Sequence, residues 1–156
     1  AHDYPGEFAA IFDRKVPAPD PTVYVCTTAV TDPQHAPPGH SNLFVLVNAP
    51  ALSPRTNWEH EAAGYRDTVV RKLERMGLAG LEQHITYERI ITPDDLQTRY
   101  NAIGGAIYGL ASNHPLLAVW PTRLTPIFCG LKLRSPTSKK PANLPKPFTK
   151  NTLANF

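Results

Sequence analysis

The stretch Tyr100 to Leu110 reads Tyr-Asn-Ala-Ile-Gly-Gly-Ala-Ile-Tyr-Gly-Leu, with Gly104, Gly105 and Gly109 set among apolar residues. A glycine pair destabilises a helix or a strand, so it marks a place where something comes close to bare backbone. That something can be another strand, a ligand or a cofactor; the pair can also make a tight turn ahead of a short buried strand. Asp94 and Asp95 are adjacent carboxylates of a kind that can share acid–base work. They follow Thr92-Pro93, however, and the first turn of a helix explains them without any substrate. His35 and His40 would make two metal ligands, but no third lies nearby, and no metal site is predicted. Cys26 lies in an apolar run with no cation beside it to activate the thiol, and reads as a small buried hydrophobe. No catalytic residue can be named from these patterns.

The elements that must position these groups follow from periodicity. Glu7 to Phe12 predicts one or two helical turns with Phe8, Ile11 and Phe12 on one side. Pro17, Pro19 and Pro21 force an extended connector. Thr22 to Thr28 alternates and is β-branched, predicting a strand; Leu43 to Val47 predicts a buried strand paired antiparallel with it across the proline-rich loop 31–42. Asn57 to Met76 is the clearest helix. Trp58, Ala62, Tyr65, Val69, Leu73 and Met76 form its apolar stripe, Thr56 and Glu59 a capping box, and Gly77 its stop. Glu59, Arg66, Asp67, Arg71, Lys72 and Glu74 are expected to be a solvated face. Leu78 to His84 predicts a short turn or helix, Ile85 to Ile91 a third strand, and Thr92 to about Tyr100 a second capped helix. The fold class is therefore α+β: a mixed or antiparallel sheet with helices packed on it, the 57–76 helix on one face.

A chain of 156 residues can bury a core of its own, and 42% hydrophobic residues is ordinary for a globular domain. Seventeen prolines are about twice the usual share of ~5%. No apolar run reaches the ~20 residues of a membrane span, and no signal peptide is recognisable. The first residue is not Met, so the chain is expected to begin partway through a longer protein. Cys26 and Cys129 are not in a metal-ligand spacing, which points to a reduced, cytoplasmic setting. Charge is divided: every acid lies at or before Asp95, where eight Lys and Arg against thirteen acids give −5, and the eight Lys and Arg after it give +8. The Lys- and Pro-rich stretch 119–156 is expected to be a divergent, disordered basic tail, most clearly from Ser135. It lacks interleaved aromatics, so nucleic-acid binding is not expected.

Gly-Gly-Ala-Ile-Tyr-Gly-Leu, preceded by Arg99-Tyr100-Asn101, resembles the segment ahead of the C-terminal FAD-binding motif in bacterial-type phytoene desaturases, the FAD-dependent carotenoid desaturases. Glu7 to Phe12, Asp20 to Cys26 with Thr31-Asp32-Pro33 and Ala36-Pro37-Pro38-Gly39-His40, and Ile90 to Leu96 resemble further family segments in the same order. The resemblance covers about residues 3–118. It implies that 1–118 is part of the substrate-side region of a two-domain FAD-dependent oxidoreductase that desaturates phytoene or a related carotenoid. The partner it implies is a hydrophobic polyene in an apolar tunnel, with a peripheral contact at the inner membrane face. Gly104, Gly105, Ala106 and Tyr108 would then lie near the flavin end of that tunnel. The family's Gly-x-Gly-x-x-Gly and its C-terminal FAD-contacting motif have no counterpart here, so FAD is implied by resemblance alone and this chain by itself is expected to be inactive. The match, the acids and the charge balance all change at about 100–120, as a shifted reading frame or a variant terminus would produce. The rival reading is a docking module without cofactor or catalysis, which would expose an apolar patch.

Overall fold

A computed structural model describes residues 1–106 and the strand 124–134; among the latter, only the side chain of Leu131 is described. Helix α1 (Tyr4–Phe8) is capped by Asp3 and runs directly into a π-helical turn, Ala9–Arg14, which closes on left-handed Lys15. Strand β1 is Val23–Cys26, and a short helix α2 (Thr28–Thr31) with a 3-10 turn, Pro33–His35, leads to the long strand β2 (His40–Pro50). Helix α3 (Trp58–Arg75), the short α4 (Leu81–His84), strand β3 (Ile85–Ile91), helix α5 (Pro93–Tyr100) and strand β4 (Leu124–Arg134) complete the order. The four strands form one sheet, β1-β2-β4-β3, antiparallel throughout. This is the expected α+β architecture, with β1 and β2 paired across the proline-rich loop.

β4 is the correction. Residues 124–134 were expected to belong to a disordered tail, yet they occupy the middle of the sheet. They pair residue for residue with β2 from His40↔Arg134 to Pro50↔Leu124. The stretch Leu-Thr-Pro-Ile-Phe-Cys-Gly-Leu-Lys-Leu-Arg alternates poorly, and its proline and glycine argue against a central strand when read alone. Residues beyond 134, including the remaining lysines, lie outside the described residues.

The core follows from two periods meeting. Leu43, Val45, Val47 and Ala49 project from one face of β2 every second residue, and each is buried. Against them lie Trp58, Tyr65, Val69, Val70 and Leu73 of α3, with Leu78, Leu81 and Leu131. Each fully buried Leu or Val here contributes about 1.5–3 kcal/mol. Met76, predicted on this stripe, is 48% exposed because it is the helix's C-terminal cap residue and has left the helical face. The N-cap also differs from expectation. Asn57 accepts from the Glu59 amide, while the Thr56 hydroxyl donates to the Lys15 carbonyl and ties the helix entry to the N-terminal turn.

Nor is the polar face of α3 merely solvated. The Arg66 guanidinium donates to both oxygens of Glu88 on β3 (2.8 and 3.1 Å), to Glu82 on α4 (2.6 Å) and to Asp67 (3.0 Å). Its side chain is only 15% exposed. The Glu88 carboxylate, outweighing the burial, raises the Arg66 pKa further above its ordinary value. Lys72 reaches Asp20 and the Pro21 carbonyl, and with the His2 amide it holds the Asp20 carboxyl down to about 2. These pairs clamp the edges of α3 to the rest of the fold.

Arg66→Ala removes the guanidinium that Glu88 and Glu82 share and is expected to lower stability by about 1.5–3 kcal/mol, measured by urea denaturation. Arg66→Lys should recover only part of this, since an ammonium cannot reproduce the two-pronged contact.

Candidate functional site

α5 begins with the predicted capping box. The Thr92 hydroxyl accepts from the Asp95 amide while Asp95 accepts from the Thr92 amide and hydroxyl. Burial raises the Asp95 pKa, but the Thr92 donors and Arg99 outweigh it and bring it below the usual range. Asp95 is thus committed to the helix end, and Asp94 stands exposed beside it.

The helix stops at Asn101 (φ 53°), and a single 3-10 turn, Ile103–Gly105, follows. Both central glycines have positive φ, 68° at Gly104 and 73° at Gly105, a region in which L-residues are strained. The Gln97 amide oxygen accepts from the Gly104 amide at 2.9 Å, and the Gly104 carbonyl accepts from the Leu52 amide at 3.1 Å. This second bond fastens the turn beside the end of β2. A Cβ on Gly105 would lie 2.5 Å from the Pro93 carbonyl oxygen and 2.7 Å from the Pro93 Cβ. The close neighbour at Gly105 is therefore the first turn of α5 in this same chain. Ala106 is buried next to it, and Tyr108 lies outside the described residues.

The remaining candidates disperse. His35 faces Asp32 at 3.5 Å, and His40, which opens β2, has its Nδ1 at 3.1 Å from the Pro38 carbonyl. Among the described residues no group of three His, Cys, Asp or Glu is placed to hold a metal ion. Cys26 is half-buried on β1, at the register position facing Phe44. Glu7, which the sequence reading passed over, is 2% exposed and accepts from the Thr22 amide (3.0 Å) and hydroxyl (2.6 Å). Its carboxylate anchors α1 to the start of β1 and has no free side for a substrate.

What is left uncovered is the sheet face away from α3. Tyr24, Phe44 and Tyr87 are 56%, 38% and 58% exposed, and Leu46 and Ile91 are partly so. Tyr24 and Phe44 meet edge to face, with centroids 6.5 Å apart and ring planes at 74°. By register, Tyr24, Leu46 and Ile91 stand in one cross-strand row through Phe128, and Phe44 and Arg89 in the next through Gly130. The opposite, covered face holds no comparable space. Between α3 and the sheet, a void of about 20 Å³ lined by Val45, Val47, Tyr65, Val69, Ile90 and Leu131 is the size of one water. Ligand pockets run to ~300–1,000 Å³. A wider hollow at the surface, lined by Pro33 to Pro38, is the concave side of a single loop. Another is bordered by Arg66, Glu74 and Glu82. An extended apolar ligand suits neither, and the uncovered sheet face is the candidate site.

Comparison with known proteins puts a class on this arrangement: the chain is similar to carotenoid-modifying enzymes. The 4,4'-diaponeurosporene oxygenase of Staphylococcus haemolyticus is 39% identical over 113 residues, 72% of this chain and 22% of that protein. Proteins of the same name from Staphylococcus aureus, strains USA300 and NCTC 8325 among them, are 38% identical over 106 residues, 68% of this chain and 21% of theirs. The resemblance read from the residues is upheld at this level, since these relatives fit a carotenoid desaturase and oxidase type of family. No protein-family model matches the chain. The chain spans about a fifth of the length of the curated relatives it matches.

Gly105→Ala combines a strained φ with a clash against Pro93 backbone and is expected to cost on the order of 2 kcal/mol or more. Thermal melting checks this. An unchanged melting temperature would mean that the turn does not pack on Pro93.

Proposed function

We propose that this chain is the polyene-holding part of a carotenoid oxidoreductase, with the uncovered sheet face as the wall along which the polyene lies. The observation that carries this is an apolar, aromatic face left open in a chain whose relatives are carotenoid oxygenases by name. Among the described residues, the void between α3 and the sheet is water-sized, which favours the open side. In this reading Gly104 and Ala106 lie toward the reacting centre and Gly105 shapes that turn from behind, while Tyr108, expected with them, lies outside the described residues. In this reading the chain's share of the work is to orient the substrate and exclude water from it.

The redox partner in this reading is FAD, which would accept hydrogen from the polyene. The described residues do not fit its diphosphate. That group needs a helix N-terminus with open amides behind a glycine-rich turn. The two longest helices are closed by their own caps, Asn57 on α3 and Thr92 with Asp95 on α5. FAD would therefore be held by other parts of a complete enzyme, and no step is routed through it here. Desaturation of a carbon–carbon bond is the reaction the sequence motifs support. The relatives' name favours a second reading, oxygenation of a diaponeurosporene-like chain.

The experiment is a splice. This chain would replace the matching segment of the Staphylococcus aureus relative in cells supplying an acyclic polyene, and products would be read by mass spectrometry. Loss of hydrogen pairs supports desaturation, and gain of oxygen supports oxygenation. A hybrid that folds and binds flavin but leaves the polyene untouched overturns both. The chain alone is expected to show no saturable micromolar FAD binding by flavin fluorescence; a yellow purified protein would overturn that.

A further inference from the structure

We infer that Gly130, in the middle of β4, is the point at which the polyene comes against the backbone of the sheet. The inference rests on the polyene-binding reading above and adds a positioning residue to it. A glycine inside a central strand weakens that strand, and its usual justifications are a turn, a bulge or a close approach. The first two are absent at this position. β4 pairs with β2 without interruption from Leu124 to Arg134. Its pairing with β3 is irregular only between Ile85 and Tyr87, away from Gly130.

The face is settled by register. Gly130 stands between Phe44 on β2 and Arg89 on β3, both exposed on the side away from α3. Leu131, next along β4, is 3% exposed and packs in the core with Val45 and Val69. At 130 the strand therefore puts no side chain on the open face, at the register position between Phe44 and Arg89. Tyr24, edge-on to Phe44, braces that ring. A flat conjugated chain can lie there against bare peptide, where a β-branched residue would hold it off. Gly105 differs in kind, because Pro93 already fills the space that its side chain would take.

The test pairs stability with binding. The full chain and its Gly130→Val variant would be produced in bacteria that make lycopene. Lycopene held per mole of purified protein would be read from visible absorption, with thermal melting alongside. Valine suits a central strand, so Gly130→Val is expected to melt at or above the temperature of the unaltered chain. It is expected to retain at least tenfold less lycopene, with Gly130→Ala between the two. Equal retention by Gly130→Val overturns the inference, and so does a melting temperature several degrees lower, which would make the glycine structural. An unaltered chain that retains no lycopene overturns it as well. The redox reading is tested separately by the spliced enzyme's products, so either can fail while the other stands.

Discussion

Strand β2 is hydrogen-bonded on both sides, to β1 and to β4, and its side chains alternate strictly between two environments. Leu43, Val45, Val47 and Ala49 turn to α3 and vanish from solvent, whereas Phe44, Leu46 and Asn48 turn away. Because the period is two, a slip of one residue would exchange these sets and put the whole buried row into water. Everything else is arranged around that constraint. α3 lies along the buried row, α4 returns the chain to it, and β3 completes the sheet beyond β4.

The ion pairs add direction to this packing. Hydrophobic burial holds α3 against the sheet without choosing its rotation closely. Arg66, reaching β3 and α4 at once, and Lys72, reaching Asp20 and Pro21, fix that rotation from the helix's two sides. Their partners lie on three separate segments of the chain. A charged helix surface read as solvated is thus the set of fastenings between helix and sheet, and it leaves the opposite sheet face free of polar demands.

That division of labour leaves the open face largely aromatic and aliphatic, with Asn42, Asn48 and Arg89 among its described polar residues. In the proposed reading such a face would bind by shape and apolar contact, which suits a substrate with no polar handle along its length. It also explains the lack of a catalytic set among the described residues. In the proposed reading a cofactor held elsewhere would carry the electron chemistry, and the task of this chain would be placement.

The order of elements, the β1–β2 pairing, the extent of α3 and the Thr92–Asp95 cap were legible in the sequence, because each rests on contacts within a few residues or on a simple period. The Gly104–Gly105 pair was legible as a special backbone site, since positive φ is a local property. Its neighbour was not, since Pro93 is brought to Gly105 only by the reversal at Asn101. β4 was missed because Pro126 and Gly130 break its local pattern, and only pairing on both sides makes it a strand. Arg66 looked like a surface charge and Glu7 drew no notice, because their partners, Glu88 and Thr22, are 22 and 15 residues distant. Local propensity and period determined what each segment is. Which face is covered, which glycine has room beside it and which charges are paired were decided by the tertiary fold, because those depend on residues far apart in the chain.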